Sequence, residues 1–244
     1  MTWRAGLAGE APDLQTMAKT FGEGDPTVRA GADDNYVLES STFDAFEYAA
    51  GVKAEAERRL ELMNGAMRAL NANAGLVWLT GRFWDSDTPH VVVVPGTAHS
   101  QVTTTSAAVG VVTVDGHVID PPPPPARGWF ALAESNPNVA DVLRLRATGP
   151  LDWANLFKIV EIIKWDVKGA RTGSKEIVSR GWATPAQLSA FGASANREDV
   201  SGDAARHARL PGDVPTNVMT LDEGRSFVQG LVQAWLGYLN DRGE

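Results

Sequence analysis

The 244-residue chain predicts an α+β fold: an N-terminal antiparallel sheet packed on one long helix, followed by an all-helical bundle. Three observations predict it. Residues 41–72 carry an apolar stripe at helical spacing. Residues 75–120 are rich in β-branched and aromatic residues, in "GLVWL", "HVVVV", "SQVTTTS" and "VGVVTVDGHVI". Beyond a run of five prolines the chain returns to amphipathic helical segments with caps at their starts.

Residues 1–33, rich in Gly, Ala and Asp, predict a loose arm with a short helix near Leu14–Met17. An α+β domain spans 34–120. It opens with a short strand around Tyr36-Val37-Leu38. Ser41 and Asp44 have the spacing of a capping box for the helix that follows. On that helix Val52, Ala56, Leu60, Met63, Met67 and Leu70 share one face, and Lys53, Glu55, Glu57, Arg58 and Glu61 the other. Asp115-Gly116 suits a two-residue hairpin turn. Pro121–Pro125 lack amide donors and favour an extended conformation, so 121–135 is expected to be a proline-rich linker, and a proline ligand for a recognition domain is the alternative.

The helical domain is expected over 136–244. Asn136 caps one helix with Pro137 behind it. Asp152 starts the strongest, whose seam is Trp153, Leu156, Val160, Ile163 and Val167, widened by Phe157 and Ile159, and Gly169 ends it. "SKEIVSRG" is a short helix, Thr184 caps the next, and Ser201 is expected to open another over 202–209. Thr220 and Glu223 form a capping box before a stripe of Val228, Leu231, Trp235 and Leu239. Phe227, Leu231 and Tyr238 widen that stripe, which fits either a broader core or a homodimer contact.

The formal net charge is −8, with 11 Lys+Arg against 18 Asp+Glu in residues 1–150 and 11 against 12 in 151–244. Non-specific duplex DNA binding needs a clustered positive surface, so no duplex DNA partner is expected, and any RNA contact is expected in the C-terminal half. The absence of cysteine excludes disulfides, iron–sulfur clusters and thiolate zinc sites. Phosphate-loop, dinucleotide-loop and nucleophile-elbow motifs are missing, so no cofactor is expected. Without a leader-like start or an apolar run of membrane-spanning length, the expectation is a cytoplasmic protein with no membrane partner.

Two places could carry chemistry. His90, His99 and His117 all fall in the predicted sheet, where they either converge on a metal or sit separately at its surface. Asp85 and Asp87 near His90 suit a cation or, equally in type, a turn that caps its own backbone. The second place is "ANREDVSGDAARHAR", residues 195–209. On a helical turn Asp203 and His207 would face the same way, as would Arg206 and Arg209. His207 could move a proton while Arg206 or Arg197 neutralises a phosphate, with Asp203 orienting the imidazole and Asn196 and Arg209 binding. The competing reading is an exposed polar helix.

About 90 residues from "LDWANLFKIVEIIKWDVKG" through "GWATPAQLSAFGASANREDVSGDAARHAR" to "TLDEGRSFVQGLVQAWL" resemble a recurring C-terminal region of uncharacterised bacterial proteins. "GDAARHA" is more distantly similar to the Arg…His segment of HEPN domains. That resemblance implies a helical bundle, often dimeric, in which an Arg and a His on one helix build a metal-independent RNase site across two protomers. Here Arg206 adjoins His207, and nine residues separate Arg197 from His207, a departure from the family's spacing. Three functions follow: a HEPN-like binding or dimerisation module joined to an N-terminal sensing or ligand-binding domain; a metal-independent RNase of a defence or toxin system using His207 with Arg206 or Arg197; or a small-molecule enzyme using the sheet histidines.

Overall fold

The computed structural model describes residues 2–31, 35–86, 88–92, 125–169, 171–202 and 216–242. It is α+β, and the chain divides into two compact units, Met1–Arg127 and Gly128–Glu244. The first contains β1 (Trp3–Ala8), α1 (Ala11–Thr20), β2 (Thr27–Ala30), β3 (Tyr36–Glu39), α2 (Ala49–Leu70), β4 (Trp78–Asp85) and β5 (Thr88–Val91). The strands form one antiparallel sheet in the order β2-β3-β1-β4-β5.

This order makes β1 parallel to β2, with β3 between them, and β3 parallel to β4, with β1 between them. Each parallel pair is joined through a helix, giving a split β-α-β arrangement. Right-handed crossovers place both helices on the same face. Asp13 on α1 accepts a 2.8 Å hydrogen bond from the amide of Gly75, in the connection that follows α2.

Val28, Leu38, Ala5 and Phe83 stand in register across four strands and are buried under the helices. The helical side of that core is Val52, Ala56, Leu60, Met63 and Met67, five of the six stripe residues read from the sequence, with Leu70 half-buried at the helix end, and each large apolar side chain buried there contributes roughly 1.5–3 kcal/mol. Buried Asn64 fastens the two layers: its Nδ2 donates to Val77 O at 2.7 Å, and its Oδ1 accepts from Val77 N at 3.0 Å. On the wet side of α2, Arg58 donates to Glu55 at 2.8 Å, and Arg59, itself buried, donates at 2.7 Å.

Several expectations are corrected. Residues 1–33 are no loose arm. Trp3–Ala8 becomes a central strand because β3 and β4 hydrogen-bond both of its edges. Ser41 and Asp44 open no long helix; Ser41–Ala45 is a short 3-10 turn capped by Ser40, and α2 starts at Ala49. The break lies at extended Phe46, whose carbonyl accepts a 3.0 Å bond from the indole of Trp3. The expected linker 121–135 contains α3 (Ala126–Ser135), because Ala126, Trp129, Phe130 and Ala133 recur at helical spacing and are buried. The helical unit therefore begins at Gly128 rather than 136. The Asp115-Gly116 hairpin lies outside the described residues.

The second unit continues with α4 (Pro137–Thr148), α5 (Trp153–Lys168), α6 (Gly173–Ser179), α7 (Pro185–Asn196), α8 (Glu198–Ser201) and α9 (Leu221–Arg242). Caps at Asn136, Asp152 and Thr184 and the Thr220–Glu223 box sit where the sequence puts them. Helix α5 is the hub, packed against α4, α6, α7 and α9. Asp166 on α5 accepts from Asn138 on α4 and from the indole of Trp235 on α9, both at 2.8 Å. No described helix is long and apolar enough to cross a membrane.

Two measurements check this account. Asn64→Ala strands the Val77 backbone in the core and is expected to cost about 2–3 kcal/mol in urea unfolding. Glu55 is held down to about 2, chiefly by the Arg58 hydrogen bond and further by Arg59, against opposing burial. Its folded pKa lies below the unfolded value, so its contribution is complete above about pH 5 and is lost as pH falls toward 2. Glu55→Gln should flatten that limb of the stability–pH curve by about 2 kcal/mol.

Candidate functional site

Of the residues in the 195–209 constellation, Asn196, Arg197, Ser201 and Gly202 are described; Asp203, Arg206, His207 and Arg209 lie outside the described residues. Helix α7 ends at Asn196, whose Nδ2 donates to Gly192 O at 2.8 Å while its Oδ1 is buried without a partner. Arg197 follows in extended conformation and is 8% exposed. Its carbonyl accepts from the amides of Val200 and Ser201. Ser201 is the last residue of α8; beyond Gly202 the helix expected over 202–209 lies outside the described residues.

One residue organises this corner. Ser194 is fully buried on α7. Its carbonyl accepts from Ser201 Oγ at 2.6 Å, and its hydroxyl accepts from the amide of Met219 at 2.7 Å. Residues 201 and 219 are thus both tied to one point, and Arg197 is buried beside it. Nearby, a cleft of about 700 Å³ lies between the first turns of α7 and α9. Asp222 and Glu223 line it, with no described cation in its wall, a lining that disfavours a phosphodiester. The amide and hydroxyl of Thr220 bond Glu223 and hold its carboxyl below the usual range.

The side chains that widened the terminal-helix stripe are engaged within the unit. Leu231 is buried, and Phe227 packs on Phe191 with ring centroids 5.3 Å apart. Tyr238 meets Trp182 edge-on and lies 4.1 Å from the Arg180 guanidinium. Among the described residues of this unit, Trp165 on α5, 65% exposed, and Val218 are large apolar side chains left open. Trp165 borders a hollow of about 390 Å³ with Phe157, Ile162, Glu161, Lys164 and Asn138. Burial depresses the Lys164 ammonium, against the opposing charge of Glu161.

In the first unit, His90 sits on β5 with its ring 5.0 Å from Trp3, while His99 and His117 lie outside the described residues. Asp85 ends β4 in the β4–β5 hairpin and pairs with Thr88. Among the described residues no three metal-binding side chains group together.

The sheet face opposite α1 and α2 is a feature that the sequence reading missed. On β4, Trp78, Thr80, Arg82 and Trp84 alternate with buried Leu79, Gly81 and Phe83. Arg4 on β1 stands opposite Trp84, and Arg29 on β2 stands opposite Val37 of β3. Gly6 of β1 has no room for a side chain, because Trp84 and Thr80 lie against it. The alternation Trp-x-Thr-x-Arg-x-Trp is legible in the sequence; which of its two faces stays open is not.

Comparison with family models, with curated proteins and with solved structures gives no match.

Ser194→Ala removes the acceptor for the Met219 amide while leaving the Ser194 carbonyl in place. The expected result is a loss of about 1–2 kcal/mol and faster hydrogen exchange at Met219, read by mass spectrometry or NMR.

Proposed function

We propose that this is a cytoplasmic binding protein, with a HEPN-like helical unit that dimerises and an N-terminal α+β unit that binds a ligand. The observation that carries the dimer is Trp165, an indole 65% exposed beside a hollow large enough to receive one. A two-fold axis across α5 would seat each copy's Trp165 in the other's hollow, the self-complementary arrangement a symmetric dimer requires. Glu161 and Lys164, three residues apart on the same helix, are of opposite charge and would pair reciprocally between antiparallel copies.

The metal-independent RNase reading rests on His207 with Arg206 or Arg197. The described cleft of this unit, lined by Asp222 and Glu223, gives it no support.

Sedimentation equilibrium at micromolar concentration is expected to give a dimer. Trp165→Glu should weaken association at least about 100-fold, with helical circular dichroism unchanged. A monomeric parent would sink the dimer. In parallel, mixed RNA incubated in EDTA should survive the parent protein; chelator-resistant cleavage that disappears in His207→Ala would replace the binding reading with the RNase one.

A further inference from the structure

We propose that the sheet face opposite α1 and α2 binds single-stranded RNA, with bases stacked on Trp78 and Trp84 and phosphates held by Arg4, Arg29 and Arg82. The inference rests on the N-terminal unit being the ligand-binding half, and it names the ligand.

On the helical side the described carboxylates are matched by cations: Glu55, Glu57 and Glu61 share α2 with Lys53, Arg58, Arg59 and Arg68, and Asp13 shares α1 with Lys19. Among the described residues the opposite face carries Arg4, which donates to Ser86 O, with Arg29 and Arg82, against one strand carboxylate, Glu39, which pairs with Arg29 at 3.5 Å. The Arg29 side chain is 63% exposed, so that surface pair can yield to a phosphate. Arg82 is exposed on β4 and stands opposite exposed Val91. A net positive patch on an acidic protein is complementary to a polyanion.

The rings select the form of that polyanion. Trp78 keeps more than a third of its surface exposed, and Trp84 is propped against Gly6 of the neighbouring strand, which leaves it no gap to sink into. The two rings stand six steps apart on the strand, a span of roughly 20 Å at most at 3.3 Å per residue. Flat aromatic faces on a basic surface suit unpaired bases, whereas a duplex hides its base faces in the stack. Thr80, between the two tryptophans, and Glu39, beside Arg29, offer hydroxyl and carboxylate oxygens to a ribose 2′-hydroxyl, which favours RNA over DNA.

The test uses the full chain and a fluorescein-labelled mixed-sequence 12-nucleotide RNA, with the same sequence as single-stranded DNA and as RNA duplex. Anisotropy should give micromolar binding to the single-stranded RNA, weaker binding to the other two, and a log–log salt slope near −2, as two or three phosphate contacts predict. Trp78→Ala and Arg82→Glu should each weaken binding about tenfold. Lys175→Glu, which changes net charge equally but lies on α6, should leave it unchanged. Circular dichroism confirms folding of each variant; Arg82→Glu, an exposed charge change, serves if Trp78→Ala unfolds. Absence of RNA binding by a parent that sediments as a dimer would overturn this inference and leave the dimer module intact. RNA binding indifferent to Arg82→Glu would overturn it too, and would return the RNA contact to the helical half. Equal affinity for DNA would overturn the assignment to RNA.

Discussion

A helix seam covers one face of a five-stranded sheet, and Asn64 holds the two layers in register. Its amide meets both polar groups of the Val77 backbone inside the core, where neither could find water. Val77 immediately precedes β4, so this clamp sets where that strand enters the sheet. Strand side chains alternate, and a slip of one residue would carry Leu79 and Phe83 outward and Trp78 and Trp84 inward. The character of the opposite sheet face is therefore set from the core side.

The helical unit solves the same problem with charge instead of an amide. Asp166 ties α4, α5 and α9 together, accepting from Asn138 and from Trp235. A carboxylate can accept from both neighbours at once, so the indole N–H of fully buried Trp235 does not go unpaired. Helix α5 thereby buries Trp153, Leu156, Ile159, Val160 and Ile163 while Trp165 projects outward. The exposed indole follows from the register that Asp166 imposes.

The candidate site was only partly legible. "ANREDVSGDAARHAR" draws the eye because cationic side chains crowd a Gly-Asp pair, and Arg197 does occupy a buried corner. The residue that organises that corner is Ser194, which carries no sequence signal, since a serine near a helix end is ordinary. The charge balance of residues 1–150 likewise concealed the basic sheet face. Composition sums over the whole unit, and only the fold brings Arg4, Arg29 and Arg82 to one sheet face.

By itself the sequence determined the bodies of α2, α4, α5, α7 and α9 and the caps of the last four: Asn136, Asp152, Thr184 and Thr220 act within three residues of themselves, and the α2 and α9 stripes repeat every three or four. Tertiary structure alone decided that "WRAGLA" is a central strand, that Phe46 breaks the expected helix to receive the Trp3 indole, and that Trp84 lies across Gly6. A helix closes its hydrogen bonds four residues along the chain, whereas Arg4 becomes part of a strand only when Glu39 and Trp84, far along the sequence, arrive on either side of it.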